Sequence, residues 1–384
     1  MRIVLLTRFF PPEISGGARR PHGLVAGWRT DGHQVTVVAP AGADDPHLIA
    51  VPHPTYPARP GQGSGQREAA GIASWLRTHV MLPDPEVRWA LRTVRVAVAA
   101  ARDADWIVST SPPESLHLAA RLLSDRTGTP WLADMRDLWL ERPQLAARRG
   151  WLRQGIERPL ARWILGRAQA LTAVSPALMH ELDRLAPEGV PRAVVGHFTL
   201  PYAGPAQPLP ADSFNIVHTG AISLSNPLSE FACLLEDFEK LVLRRPDSRL
   251  WLAGHLSPDE VSACRSSPAG SRIEIVGPVD AQSARALQAG ADALALVSGR
   301  NSHALPGKQA EYMTTGLPIL VSAPGPWLEL VEDRTRLLAF ADAADLPKAT
   351  PAQARHPDDS ARAAARQFIA LMNAAHPAKG SRNT

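Results

Sequence analysis

Residues 301–323 read NSHALPGKQAEYMTTGLPILVSA: a polar, glycine-containing loop, a helix starting near Gly307, a Gly316-Leu317-Pro318 stop, and an apolar strand over 319–321. In such a turn the free N–H groups and positive dipole end of a helix N-terminus suit an anionic group, and Lys308 adds a mobile full charge beside them. Glu311 stands one turn further in, where a carboxylate can accept hydrogen bonds from paired hydroxyls, as acidic residues do for ribose in nucleotide folds. Phosphate with ribose means nucleotide. The same residues satisfy a plainer reading, an ordinary loop–helix–strand connection with Lys308 and Glu311 as solvated first-turn charges and Gly316 as a C-terminal cap. The surrounding sequence has to decide between the two.

That surrounding sequence repeats one pattern. Residues 2–7, 34–39, 106–110, 131–133, 170–174 and 192–195 are brief apolar runs bounded by turn residues, as buried parallel strands are, with helical segments between them. Residues 196–214, GHFTLPYAGPAQPLPADSF, are rich in proline and small residues and mark a linker. The pattern then restarts, with strands at 215–218, 249–253, 272–276, 293–297 and 319–321 and helices such as 229–243 between them. At 384 residues the chain is longer than one hydrophobic core usually serves. The expectation is two Rossmann-like doubly wound α/β domains, over 1–197 and 214–355, joined by a linker at 198–213. An Ala- and Arg-rich helix over 358–375 and a frayed tail occupy 356–384, and the Gly-, Gln- and Ser-rich residues 61–71 read as a surface loop.

Composition narrows the function classes. With 45% hydrophobic and 20% charged residues the chain is globular, and 36 prolines colour the loops without implying disorder at large. Two cysteines, Cys233 and Cys264, argue against a disulfide framework and a cysteine-based metal site; Cys233, in an apolar helical run, reads as a buried structural thiol. The apolar run of MRIVLLTRFFPPE is too short for a signal peptide, and Arg or Asp interrupts every candidate membrane span, including 94–101. The reading is cytoplasmic. Residues 1–197 hold 24 Arg against 18 Asp or Glu, whereas 198–384 hold 17 basic against 19 acidic. The basic half suits an anionic partner such as a membrane surface or a phosphorylated acceptor, or reflects an arginine bias alone.

Two further places carry chemistry. Gly16 and Gly17 fall between the first strand and its helix, where they let the backbone approach a ligand closely, but the spacing is not GxGxxG and an NAD-type oxidoreductase is disfavoured. In 109–139, Ser109, Thr110 and Ser111 lie at the end of one strand and Asp134, Arg136 and Asp137 at the end of the next, where α/β folds bind ligands. Such a cluster can orient an acceptor hydroxyl or meet phosphate; equally, Arg136 can pair with Asp134 or Asp137 in a structural salt bridge. His117 reads as a helix-face histidine.

These residues assemble a resemblance. FFPPEISGGARRPHGLVAGWRTDGHQVTVVAP (9–40) resembles the N-terminal domain of glycosyltransferase family 4, and TSPPESLHLAARLL (110–123) with PWLADMRDLW (130–139) resembles a pattern of its bacterial cell-surface members. FNIVHTGAIS, RLWLAG, IEIVGPV and LPGKQAEYMTTGLPILVSA follow in that family's order, so the resemblance covers nearly the whole chain. It implies a GT-B architecture, two domains facing each other across a cleft with the C-terminal helix packing back on the first. It also implies a retaining transferase that takes a sugar from a nucleotide-sugar donor, with no cofactor and no required metal. By resemblance Glu311 holds the donor ribose, Lys308, Gly16, Gly17 and the Gly220 loop surround the diphosphate, and the backbone at Val279 meets the base. Two positions depart from the family. His303 stands where its Glu-x7-Glu motif has the first carboxylate, and the Arg and Lys often found after the first glycine of the second domain are missing from GAISLSNPLSEF. The family's N-domain histidine has no counterpart, Ser111 occupying about that point, so Ser111, Arg136 and Asp137 are the candidate catalytic residues. Catalysis then rests on electrostatic stabilisation of the leaving diphosphate.

The acceptor is a lipid-linked glycan or a small molecule, and no nucleic acid is expected. In 145–168, Leu152, Ile156, Leu160, Trp163 and Ile164 recur at helical spacing among Arg148, Arg149, Arg153, Arg158, Arg162 and Arg167. A basic helix with tryptophan can lie on an anionic membrane, giving a peripheral position at its inner face. The stripe can equally be a packing face, with Pro159 dividing two short helices. Alternatives to the transferase are a GT-B sugar-nucleotide epimerase or hydrolase, and a catalytically silent sugar-nucleotide-binding module.

Overall fold

A computed structural model describes residues 1–13, 16–40, 45–53, 81–140, 151–198, 202, 204–222, 228–297, 299, 306–331, 334–349 and 360–376. They form two compact units, the first running to Phe198 and taking in the chain again from Ser360, the second running from Thr199 to Asp359. His303 and residues 61–71, 145–150 and 379–384 lie outside the described residues.

In the first unit the elements run β1 (Arg2–Leu6), α1 (Gly16–Thr30), β2 (Gln34–Ala39), β3 (Leu48–Ala50), α2 (Val87–Arg102), β4 (Trp106–Thr110), α3 (Ser115–Thr127) and β5 (Trp131–Met135). Then come α4 (Trp151–Leu165), β6 (Ala170–Ala173), α5 (Pro176–Leu185) and β7 (Arg192–Val194). All neighbouring strands pair in parallel, in the order β3-β2-β1-β4-β5-β6-β7. Apart from Arg2, β1 is buried throughout, as a strand covered on both faces must be. The short β3 escaped the sequence reading: it is only three residues long, half-buried or exposed, at the edge of the sheet.

One expectation about the helices needs correction. Pro159 does not divide two helices: α4 runs unbroken from Trp151 to Leu165. Pro21 likewise sits inside α1. A helix tolerates an internal proline where the carbonyl four residues back finds another donor, and Gly17 O accepts from Arg136 Nη1 at 2.6 Å. The stripe on α4 is divided too: Ala161, Ile164 and Leu165 join the core, Leu160 packs against it, and Ile156 and Trp163 are 56% and 49% exposed.

The C-terminal helix α10 (Ser360–Ala375) packs on α1 of the same unit. Gly23 and Gly27 make this possible: a Cβ at Gly27 would lie 2.7 Å from Ala365 Cβ, and one at Gly23 would lie 2.7 Å from the Phe198 ring. Trp28 Nε1 donates to Ala365 O at 3.0 Å, its ring meets Phe368 edge-on, and Asp31 accepts from Arg362 and Arg366. Those two hydrogen bonds, Arg366 foremost, hold the Asp31 carboxyl down at about 2.

The second unit carries β8 (Phe214–Thr219), α6 (Leu228–Arg244), β9 (Ser248–Ala253), α7 (Pro258–Ser266), β10 (Ile273–Ile275), α8 (Ala281–Ala289), β11 (Ala293–Val297), α9 (Gly307–Met313), β12 (Ile319–Ser322) and β13 (Leu337–Ala339). Its strand order is β10-β9-β8-β11-β12-β13, again parallel. In both sheets the order reverses beside the first strand, between β1 and β4 and between β8 and β11. Crevices at such reversals, outside the carboxyl ends of the strands, are where open α/β sheets bind ligands. Gly316 takes a φ of +78 just after α9, as a helix-ending glycine should. Cys233 is only half-buried, since it borders the side of α6 that faces away from the core; Cys264 is the buried thiol.

Candidate functional site

In the second unit the site builds outward from β8. The ladder between β8 and β11 covers two pairs, Ile216↔Ala293 and Val217↔Leu294. Beyond it, side chains supply the hydrogen bonds: His218 Nδ1 donates to Ala295 O at 2.9 Å, and Thr219 N donates to the Tyr312 hydroxyl at 3.0 Å. The strands part at the reversal point. Gly220 follows with a φ of +99, where a side chain would be strained. A Cβ there would sit 2.6 Å from Lys308 Nζ, and one on Gly254 would sit 2.4 Å from Gly220 O. These glycines hold two strand ends and one ammonium in a space without room for a methyl group.

Lys308 Nζ lies 3.1 Å from His218 Nε2 and 3.4 Å from Ala221 O. Because Nδ1 carries the proton shared with Ala295 O, Nε2 presents its lone pair to the ammonium. Burial, then the charge of Lys308, drives the His218 pKa down to about 3, so the ring is neutral at any ordinary pH. With seven residues, α9 has only a short dipole, so the cation outweighs the helix end as a source of positive charge.

Glu311 is 1% exposed. Its Oε1 accepts from Gln288 Nε2 at 2.8 Å and lies 3.5 Å from Arg285 Nη1, and Gln288 Nε2 also donates to Thr219 Oγ1 at 2.7 Å. The reading of Glu311 as a solvated surface charge is therefore overturned: it is anchored by α8 to the end of β8. Val279 is half-buried against the core just before Asp280, which caps α8 by accepting from Ser283 N. Arg285 and Gln288 carried no local signal in the sequence. Their tie to Glu311 crosses more than twenty residues.

In the first unit the ends of β4, β5 and β6 meet on one buried carboxylate. Asp134 accepts from Arg20 Nε at 2.9 Å and Nη2 at 2.8 Å, from Thr110 Oγ1 at 2.7 Å and from Thr172 Oγ1 at 2.8 Å. Burial pushes its pKa up, but the Arg20 charge and these hydrogen bonds outweigh that and hold it below the usual carboxylate range. Arg136 is thus not the partner of Asp134. It donates from Nε to Ser111 O and from Nη1 to Gly17 O, bracing the first turn of α1 against the end of β4. Its Nη2 is buried and makes no hydrogen bond among the described residues. Burial lowers its pKa to about 10, so it stays charged at neutral pH.

Ser111, a candidate catalytic residue in the sequence, lies at the end of β4. It is fully buried and its hydroxyl points at Met135 Sδ, 3.7 Å away, so in this structure it is not presented to a ligand. Asp137 is exposed just beyond β5. Gly16 opens α1, and Gly17 is required by Phe9, whose ring would lie 2.8 Å from a Cβ. The structure adds His197 to the group: burial, then Arg20 and Arg136, lowers its pKa to about 4. His117 is a core residue bonded to Ser109 Oγ at 2.8 Å. Among the described residues no three His, Cys, Asp or Glu side chains are arranged to hold a metal ion, and no helix is long and apolar enough to cross a membrane.

Comparison with known proteins fits this geometry. Residues 15–197 match the glycosyl transferase 4-like domain, and residues 213–352 match glycosyl transferases group 1. No curated protein sequence matches. Solved structures share the fold at low identity. A protein assigned as UDP-N-acetylglucosamine 2-epimerase from Listeria monocytogenes aligns at TM-score 0.62 and 16% identity over 97% of this chain and 96% of that one. Sucrose-phosphate synthase from Thermosynechococcus elongatus aligns at 0.59 and 16% over 97% and 96%. HepE from Anabaena, solved with UDP-glucose, aligns at 0.56 and 15% over 98% of both chains. With both domain families matched in order and the two parallel α/β units of the GT-B fold in place, the chain belongs to the family 4-type glycosyltransferases.

Proposed function

We propose that the protein transfers a sugar, with retention of configuration, from a nucleotide-sugar donor to a hydroxyl of a lipid-linked glycan or small-molecule acceptor. The observation that carries this reading is the Lys308 ammonium held beside the Gly220 turn at the β8/β11 reversal, one helical turn from the anchored Glu311. Lys308 meets the diphosphate, which leaves with the electrons of its bond to the anomeric carbon; the acceptor oxygen attacks on the same face and its proton passes to the departing phosphate. Glu311 accepts from the ribose hydroxyls, and Val279 meets the base. Asp137 orients the acceptor, and Arg136 with Gly16 and Gly17 shapes the first-unit loop beside it. The protein's own cation takes the place of a metal ion. Uridine nucleotides are the first donors to test, since HepE was solved with UDP-glucose and a Staphylococcus aureus protein of the same fold with UDP.

The decisive experiment is a thermal-shift screen of UDP-, GDP-, dTDP- and ADP-sugars, followed by nucleoside diphosphate release with and without acceptors. Acceptor-dependent release supports transfer; acceptor-independent turnover supports an epimerase or hydrolase; binding without turnover supports a silent module. For the donor that binds, Glu311→Gln is expected to weaken affinity by about 1.5–3 kcal/mol, the range for hydrogen bonds to a charged group. Unchanged affinity by calorimetry removes the ribose assignment.

The acceptor side is proposed to meet an anionic membrane. On α4 Ile156 and Trp163 are exposed together with Arg158 and Arg162, and on α2 Leu91 and Val96 are exposed together with Arg88, Arg92 and Arg95. Arg121 stacks 4.0 Å from the Trp163 ring centroid, keeping that indole at the surface beside a charge. Phosphatidylglycerol vesicles should co-sediment the protein at low salt and release it at high salt. Each arginine near such a surface contributes about 1 kcal/mol, so replacing Arg92, Arg158 and Arg162 by Gln should weaken partitioning on the order of a hundredfold. Equal sedimentation with neutral phosphatidylcholine would remove the electrostatic account.

A further inference from the structure

We infer that His218 is a positioning residue: its neutral ring sets the Lys308 ammonium over the Gly220 turn, where it receives the diphosphate of a nucleotide ligand. The inference rests on the donor reading above and adds to it the group that places the charge.

Three observations fix the ring. His218 is 1% exposed, Nδ1 is tied to Ala295 O on the neighbouring strand, and that bond leaves Nε2 as an acceptor 3.1 Å from Lys308 Nζ. The chain gains two things from this arrangement. A lysine side chain has many rotamers, and an immobile acceptor at its tip removes part of that freedom before a ligand arrives. The acceptor is also uncharged. A carboxylate in the same place would form an ion pair and cancel the charge that a phosphate needs, whereas an imidazole lone pair orients the ammonium without neutralising it. Ala221 O, 3.4 Å from the same ammonium, is likewise neutral. Gly220 completes the arrangement, because any side chain there would occupy the space of Nζ itself.

The histidine also explains a departure in the sequence. The basic residues that the family places after this glycine are missing, and the only cation at this turn among the described residues arrives from α9, ninety positions away. A charge delivered from another element needs a local guide, and the strand that ends at the turn supplies one.

The test uses the full chain, with inorganic pyrophosphate and UDP as ligands and uridine as the reference. His218→Phe keeps the ring volume and removes the acceptor; His218→Gln keeps an acceptor of similar reach; Lys308→Met removes the charge. Calorimetry is expected to show pyrophosphate and UDP binding about tenfold weaker in His218→Phe, uridine binding unchanged, and most of the loss restored in His218→Gln. Combining His218→Phe with Lys308→Met should cost little more than Lys308→Met alone, since both changes act on one charge. A loss that spreads equally to uridine, or that Gln and Phe share, would make His218 a packing residue and overturn the inference. So would pyrophosphate binding that His218→Phe leaves intact, or its absence in the wild type. Wild-type protein that binds pyrophosphate through Lys308 and His218 but no nucleoside diphosphate upholds the positioning role while sinking the donor reading.

Discussion

Asp134→Ala is expected to destabilise the first unit by about 3–5 kcal/mol, the cost of leaving a buried charge without its partner. The carboxylate is fully buried and collects four hydrogen bonds, two from Arg20 and one each from Thr110 and Thr172. Removing it strands a guanidinium that is 3% exposed, together with two threonine hydroxyls at the ends of β4 and β6. Asp134→Asn keeps the volume and one acceptor and should lose less. Urea denaturation followed by tryptophan fluorescence checks this, because Trp28, Trp106, Trp131 and Trp139 are all buried in this unit; a midpoint matching wild type would show that Arg20 finds another acceptor. The acid dependence has a definite sign. The folded pKa lies below the unfolded value near 3.8, so the stabilisation is complete above that value and is lost as pH falls through the folded one. Wild-type protein should therefore lose more stability on acidification below about pH 4 than Asp134→Asn does, the remaining loss coming from other ion-paired carboxylates such as Asp31.

The second large effect is expected at Gly27. Gly27→Leu places a branched side chain where even a Cβ would be 2.7 Å from Ala365 Cβ and 3.1 Å from Ala361 O. Overpacking typically costs about 1–3 kcal/mol, and here the obstacle is another helix's backbone, which has no rotamer to yield. The gain in helix propensity over glycine, about 1 kcal/mol, does not offset it. α10 should detach, exposing Trp28 and Phe368 and giving up the Trp28 Nε1 bond to Ala365 O. Limited proteolysis should then remove the C-terminal segment from the variant and spare the wild type. Equal resistance would mean that α10 can shift along α1 without loss.

Most of the architecture was legible because parallel strands buried on both faces leave short apolar runs, and each run at 2–7, 106–110 and 293–297 became a strand. β3 and β13 were missed: each is a three-residue strand at a sheet edge, mostly half-buried, whose apolar run is too short to stand out from the loops around it. Pro159 misled because an internal proline does not by itself end a helix, and α4 runs through it; at Pro21 in α1 the carbonyl freed at Gly17 takes a donor from Arg136, far along the chain. The candidate site divides along the same line. The Lys308 helix start and the Gly220 turn announce themselves locally. The partnership of Arg20 with Asp134 spans 114 positions, and that of His218 with Lys308 spans 90. Local spacing holds no trace of either. Arg136, with an aspartate on either side in the sequence, was open to two readings, a ligand-facing group or an ion-pair partner; in space its hydrogen bonds go to the carbonyls of Ser111 and Gly17.

The return of α10 to α1 also sets the order in which the chain can finish folding as it is made. The surface around Gly23, Gly27 and Trp28 is synthesised first, yet the helix that covers it begins at Ser360, roughly 160 residues after the first unit otherwise ends at Phe198. At about 5–20 residues per second, a ribosome leaves that apolar groove open for on the order of 8–30 s while the whole second unit emerges. During that interval the nascent chain carries a tryptophan-lined seat whose occupant has not yet been translated, and this is the stage at which a chaperone would be needed most.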